Sequence, residues 1–199
     1  MERILRATDV LFAEHGVAKT TINAIAERAD INKVLIYRYF GGWNGLVESY
    51  VARGWFLSFI NERTEAAASS RPITDARTQP WQTVLTNITH ELRDRPASRA
   101  LLRWEMENGQ TELARRLVTL RNEAFSKLLT RAMPDVGTDA SAVIGLLWGG
   151  LAYFALNSET REFILDVPVR KPEGWLRIDQ ALGCLANSIS GGTQRKAGD

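Results

Sequence analysis

One cysteine, Cys184, and two histidines, His15 and His90, are all the thiol and imidazole that the 199 residues offer. A single cysteine excludes an intramolecular disulfide and a cysteine metal cluster, and it suits a reducing cytoplasm. Within its apolar helical stretch, Cys184 reads as a small buried hydrophobe. His15 closes a helix beside Gly16, where the helix dipole accounts for it, and His90 and Glu91 are neighbours that point in different directions and form no dyad. Metal-spaced histidines, a phosphate-binding glycine loop and a nucleophile elbow are absent from the sequence, so a helical enzyme is the weakest reading and no cofactor is expected. Long apolar runs are missing too. The longest, Ala142 to Leu156, is interrupted by Gly145, Gly149 and Gly150 and falls short of the roughly 20 residues that cross a bilayer. Met1 leads into a charged amphipathic helix rather than a secretory signal, so a cytoplasmic protein without membrane contact is expected. With 25 basic against 23 acidic residues, the net charge of +2 does not describe a protein that coats nucleic acid. Any affinity for a polyanion must come from a local patch, and one stretch qualifies, because no acidic residue occurs between Ile31 and Val47.

That stretch lies within residues 20 to 46, where two short amphipathic segments flank a tight turn. Ile22, Ile25, Ala26 and Ala29 recur at helical spacing, with Thr20 or Thr21 as N-cap. Asp30 suits a left-handed turn position, Ile31 plugs the angle between helices, and Asn32 caps the segment from Lys33 to Tyr39. The pattern predicts a helix-turn-helix, whose second helix enters the major groove. Lys33 and Arg38 can donate to guanine edges or phosphates, Val34 and Leu35 can touch thymine methyls, and Tyr37 and Tyr39 can reach phosphates. Ile36 and Phe40 point inward. An upstream helix from Glu2 to His15, with Ile4, Ala7, Thr8, Leu11 and Phe12 on one stripe, braces the pair. Gly41-Gly42 stops the second helix, and a run from about Asn44, some 20 residues long, spans about 30 Å toward a second domain.

The combination of Leu11-Phe12 with Gly16, Thr20-Thr21, Ile25-Ala26 with Ala29, and Ile36-Tyr37-Arg38-Tyr39-Phe40 followed by Leu46 resembles the tetracycline-repressor (TetR) family of transcriptional regulators. The resemblance covers about the first quarter of the chain. It implies an all-α fold with an N-terminal three-helix DNA-binding domain, a linking helix, and a larger helical domain that dimerises and binds a small effector. The family's base-reading positions fall on Lys33, Val34, Leu35 and Arg38, and its phosphate contacts on Thr21, Tyr37 and Tyr39, with Thr20 and Asn32 beside them. Three departures stand out. Val34-Leu35 stands where the family has a small residue early in the recognition helix. Trp43 replaces a lysine that would touch phosphate; its indole N–H could take over that contact, but packing under the linking helix is the favoured role. Asp30 replaces the turn glycine and tolerates the same backbone region.

The rest of the chain reads as helices and no strand pattern competes. Periods run from Trp81 to Arg95, Ser98 to Glu107, Glu112 to Ala132, Asp139 to Asn157 and Gly174 to Ile189, after an exposed connector from Ala66 to Pro80. These define a DNA-binding domain at 1–53, an effector-binding and dimerisation domain at 54–190 and a flexible tail at 191–199. The almost wholly apolar Asp139–Asn157 segment is buried on all sides or against a second copy of the chain. Ile178, Leu182, Leu185 and Ile189 form a stripe on the last helix, and two such helices from each of two chains would make a four-helix interface. Effector contacts are expected among Trp81, His90, Arg103, Trp104, Phe125, Trp148 and Tyr153, which mix aromatic surface with orienting polar groups. The expected whole is a dimeric repressor that binds double-stranded DNA at a palindromic operator and is released by an unnamed small molecule. The alternatives are a small-molecule-binding helical protein without DNA binding, or a helical enzyme.

Overall fold

The computed structural model describes residues 1–53, 80–132 and 139–194. Among these, nine helices and one two-stranded hairpin follow each other in the order α1 (Glu2–His15), α2 (Ile22–Arg28), α3 (Val34–Phe40), α4 (Trp43–Ala52), α5 (Pro80–Asp94), α6 (Pro96–Glu107), α7 (Glu112–Ala132), α8 (Ala140–Asn157), β1 (Phe163–Ile164), β2 (Val167–Pro168) and α9 (Pro172–Gln194). The fold is all-α, and the hairpin is its one departure. Strands of two residues are too short to show a period, which is why no pattern in the chain announces them. The far part of the expected linking helix and residues 66–79 of the expected connector lie outside the described residues.

The described residues form two compact units. One holds α1 to α4 together with Asp94–Phe125; the other holds α5 up to Arg93 and the elements from Ser126 onward. In the first unit, α1 packs across α2 and α6, and α3 packs on α4. Its core is formed by Leu5, Phe12, Ile25, Ile36, Leu46, Tyr50, Leu101 and Leu117, all fully buried. Each such side chain contributes about 1.5–3 kcal/mol of burial. Phe12 sits at the centre, with the rings of Trp43 and Tyr50 edge-on at 6.1 and 5.3 Å. Trp43 therefore packs, as its size predicts. Pro96 follows on the end of α5, where a helix-stopping proline is expected. It occupies the first turn of α6, where its missing N–H costs nothing, and Arg95 alone separates α5 from α6.

Polar contacts tie the first unit together where sequence spacing gives no hint. Asp9 Oδ1 accepts a hydrogen bond from the Tyr50 hydroxyl and another from Arg95 Nη2, each at 2.5 Å. One carboxylate oxygen thus joins α1, α4 and the start of α6. Arg116 on α7 pairs with Glu48 on α4 at 2.9 Å, and Arg121 pairs with Glu105, both nearly buried, between α7 and α6.

In the second unit, α8 buries Ile144, Leu151, Ala152 and Ala155 but leaves Ala142, Gly145, Leu146, Gly149, Gly150 and Tyr153 exposed along the other side. Leu146 is 79% exposed. On α9, Trp175, Ile178 and Leu182 are buried, while Leu176 and Leu185 are exposed; the side chain of Ile189 lies outside the described residues. Cys184 is exposed as well, against the expectation of burial, because it falls on the open side of the helix with Leu185. The helix continues to Gln194, past the expected start of the tail at 191. The hairpin is held to α9 by Trp175 Nε1, which donates to Val169 O at 2.8 Å, and by Arg177, which donates to Asp166 Oδ2 at 2.9 Å. Hydrogen bonding and charge from Arg177 hold the Asp166 carboxyl below the usual carboxylate range.

Candidate nucleic-acid interface

The surface carried by α3 is built from its turn. The Thr21 hydroxyl oxygen accepts from Ala24 N–H at 3.2 Å and so starts α2. Asp30 adopts φ 51°, the left-handed position expected of it. A contact from outside the motif supports that turn: Arg3 Nη2 donates to Ala29 O at 2.7 Å and lies 3.5 Å from the Asp30 carboxylate. Arg28 at the end of α2 is clamped to Glu14 of α1 by two hydrogen bonds of 2.8 and 2.9 Å. Asn32 Oδ1 accepts from Val34 N–H at 2.9 Å and starts α3, as its position predicts. Gly41, at φ 74°, ends the helix, its N–H donating to Tyr37 O. Chain return is tight here, since a Cβ on Gly45 would overlap the carbonyl oxygen of Phe40.

With Ile36 and Phe40 buried, the opposite side of α3 is fixed. Val34 is 61% exposed, and Tyr37, Arg38 and Tyr39 are exposed beside it, with Leu35 half-buried on the flank. Lys33, Asn32 and Thr21 are exposed around the N-terminal end. Neither Lys33 nor Arg38 has an ion-pair partner among the described residues, so both charges face solvent. Thr21 and Asn32 spend only acceptor capacity on capping, which leaves the hydroxyl and amide protons available to phosphate oxygens. The Tyr37 ring lies beside Gly42 and flanks the face on one side. Arg38 lies over the Tyr39 ring, its Cζ 5.0 Å from the centroid, and donates to the Tyr39 hydroxyl at 3.1 Å.

Thr20 is a correction. It is buried, at 6% exposure, and its hydroxyl donates to Gly16 O at 2.8 Å, so it fastens the loop after α1 instead of facing DNA. Its neighbour Thr21 alone occupies the cap. The expected effector residues divide between the units. Phe125 is buried and Arg103 and Trp104 half-buried in the first; His90 and Trp148 are half-buried in the second. His90 Nε2 lies 3.4 Å from Asp179 Oδ2, a partner 89 residues away that spacing does not show. Tyr153 is exposed on the apolar side of α8. The side chain of Trp81 lies outside the described residues.

Residues 4–50 match the family described as bacterial regulatory proteins, tetR family. This N-terminal segment is a DNA-binding domain of the TetR type. Among curated proteins, the chain is 29% identical over 143 residues to the HTH-type transcriptional repressor SCO4008 of Streptomyces coelicolor, covering 66% of this chain and 68% of that one. It is 27% identical over 158 residues to the HTH-type transcriptional regulator BetI of Paraburkholderia xenovorans, covering 73% and 78%. Among solved structures, the fatty acid degradation regulator FadR from Bacillus halodurans shares the fold with a TM-score of 0.66 at 18% identity, covering 92% of this chain and 97% of that one. FadR from Bacillus subtilis, in complex with stearoyl-CoA, shares it with a TM-score of 0.64 at 17% identity, covering 94% of each. The chain thus carries the DNA-binding domain of a transcriptional regulator, and the relatives it matches are transcriptional regulators.

Proposed function

We propose that this regulator is a homodimeric repressor whose two α3 helices occupy successive major grooves of a palindromic operator, and that a small effector bound in the helical body releases it. One observation carries the DNA-reading half. The outward side of α3 presents Val34, Tyr37 and Arg38 to solvent beside Lys33, with no acidic residue from Asn32 to Leu46. Base edges are read by Lys33, Val34, Leu35 and Arg38, and phosphates are held by Thr21, Asn32 and Tyr37, with Tyr39 beside Arg38 on the same face. Support for repression comes from SCO4008, which is itself a repressor.

Association is supported by the bare apolar side of α8 and the exposed Leu176 and Leu185 of α9. A soluble helix keeps such a stripe when a second copy covers it. Twofold symmetry then presents the reading face twice, with half-sites about 34 Å apart, and a local patch on a chain of near-neutral charge suffices. Residues 1–53 carry the reading function, 54–190 effector binding and association, and 191–199 neither. Effector binding falls to His90 and Trp148 of the second unit, while Arg103, Trp104 and Phe125 belong to the first unit's own packing; Tyr153, standing on the apolar side of α8, serves association. That a neighbour of this fold holds stearoyl-CoA supports a ligand with an apolar body. Effector and operator oppose one another through a coupling of about 1–3 kcal/mol, or roughly 5- to 150-fold in affinity.

The test is selection from a pool of random duplexes at a salt concentration of about 0.15 M, where non-specific attraction is screened. Enrichment of a palindrome, lost in Arg38→Ala, is expected. Enrichment of a single half-site would overturn the dimer, and no enrichment would overturn operator reading.

A further inference from the structure

The pair Arg38–Tyr39 assigns Tyr39 a role different from the phosphate contact given above. At about 100° per residue, Val34 and Arg38 stand at the centre of the face opposite Ile36 and Phe40, whereas Tyr39 stands on one flank, beside Leu35. From the flank, its phenol ring lies under the guanidinium of Arg38, with the cation 5.0 Å from the ring centroid. Its hydroxyl oxygen also accepts from Arg38 Nη2 at 3.1 Å. Ring and hydroxyl both contact the same group, so the guanidinium is held at two points. An unrestrained arginine at an exposed site samples many rotamers and must lose that freedom when it meets a base.

We infer that Tyr39 is a positioning residue that holds Arg38 ready to donate bidentately to a guanine edge, and that its contribution to operator recognition passes through Arg38. This rests on the operator-reading role of α3. The chemistry is consistent with what remains free. Arg38 Nη2 carries two N–H groups and spends one on Tyr39, so the other can still form a parallel fork with a neighbouring guanidinium nitrogen, and guanine offers two acceptors, O6 and N7, on its major-groove edge. The Tyr39 hydroxyl uses its oxygen toward Arg38, so its own proton points elsewhere. A tyrosine that touched phosphate independently would strengthen every sequence alike. One that positions Arg38 strengthens only those with the guanine that Arg38 reads.

The experiment measures affinity for the selected operator and for each of its single base-pair substitutions, with the parent, Tyr39→Phe, Arg38→Ala and the double variant. Tyr39→Phe keeps the ring and leaves the fold untouched, which circular dichroism and a melting curve check. A drop of about 2- to 10-fold in discrimination at one base pair, the span of a single hydrogen bond, is expected. The other positions should be unchanged, and Tyr39→Phe should have no further effect in the Arg38→Ala background. A uniform loss over all sequences that persists in the Arg38→Ala background would make Tyr39 an independent phosphate contact, and no loss at all would remove it from recognition. If Arg38→Ala itself leaves base preference unchanged, the base-reading assignment of Arg38 fails, a result separate from either of these.

Discussion

The first unit and the second treat their apolar surface in opposite ways. Around α1 to α4, the large hydrophobic side chains are inside and, apart from Met1, the exposed ones, Val34, Tyr37 and Tyr39, cluster on the outward side of α3. On α8, the exposed side is as apolar as the buried one, from Ala142 through Leu146 to Tyr153. A closed core with a polar-aromatic working face needs no partner of its own kind. An open apolar stripe does, and on the proposed reading the difference separates the part that recognises from the part that associates.

The strongest way to break the comparison is to place a charge on the open stripe. Leu146→Glu should yield a monomer by sedimentation and weaken operator binding by about 100-fold or more, the loss expected when two linked half-site contacts become one. The melting curve of the isolated chain should change little, because Leu146 touches solvent; a dimer that survives would mean the stripe is covered by something else. Two glycines sharpen the contrast further. Gly45→Ala should cost about 1–3 kcal/mol in a denaturant melt, since its Cβ meets the Phe40 carbonyl and the end of α3 must shift. Gly145→Ala meets nothing within 4 Å and should raise the helix stability of the monomer by up to about 1 kcal/mol. If it also weakens association, the close approach of two α8 helices is the reason. Arg38→Ala should cost about 1–3 kcal/mol at the operator and relax one base position, without affecting oligomeric state.

The smallest effect concerns pH. Asp166 titrates lower in the folded chain than in the unfolded one, so its contribution is present above the unfolded value, near pH 4, and fades as pH falls through the folded value. Because the group is fully exposed, the change in melting temperature below about pH 4 should be slight, and Asp166→Asn should abolish it. An unchanged acid profile in that variant would show that other carboxylates govern the acid limb.

Local rules are readable in the chain, and long-range ones are not. The bounds of α1, the cap at Thr21, the left-handed Asp30, the cap at Asn32 and the stop at Gly41 follow from side-chain chemistry within a few residues, and all stand. The Arg3 contact to Ala29, the pairing of Asp179 with His90 and the Asp9 junction join residues 26 to 89 positions apart, and no periodicity encodes them. Thr20 and Thr21 show the limit most plainly. Both suit a cap by type, and only the path of the loop after Gly16 decides that one is buried and the other is not. Cys184 departs from expectation for a related reason: an apolar helix reads as interior until it is known which of its sides lacks a neighbour.

The Asp9 junction also sets an order of events during folding. Its oxygen binds Tyr50 across 41 residues and Arg95 across 86. Although the DNA-reading motif is complete in the first fifty or so residues, the brace on α1 closes only once α6 has formed and docked. Contacts of such sequence separation form late, after the loop-closure entropy has been overcome. A nascent chain that has exposed α3 is therefore not yet fully braced, and the brace is complete only once the chain has passed residue 107.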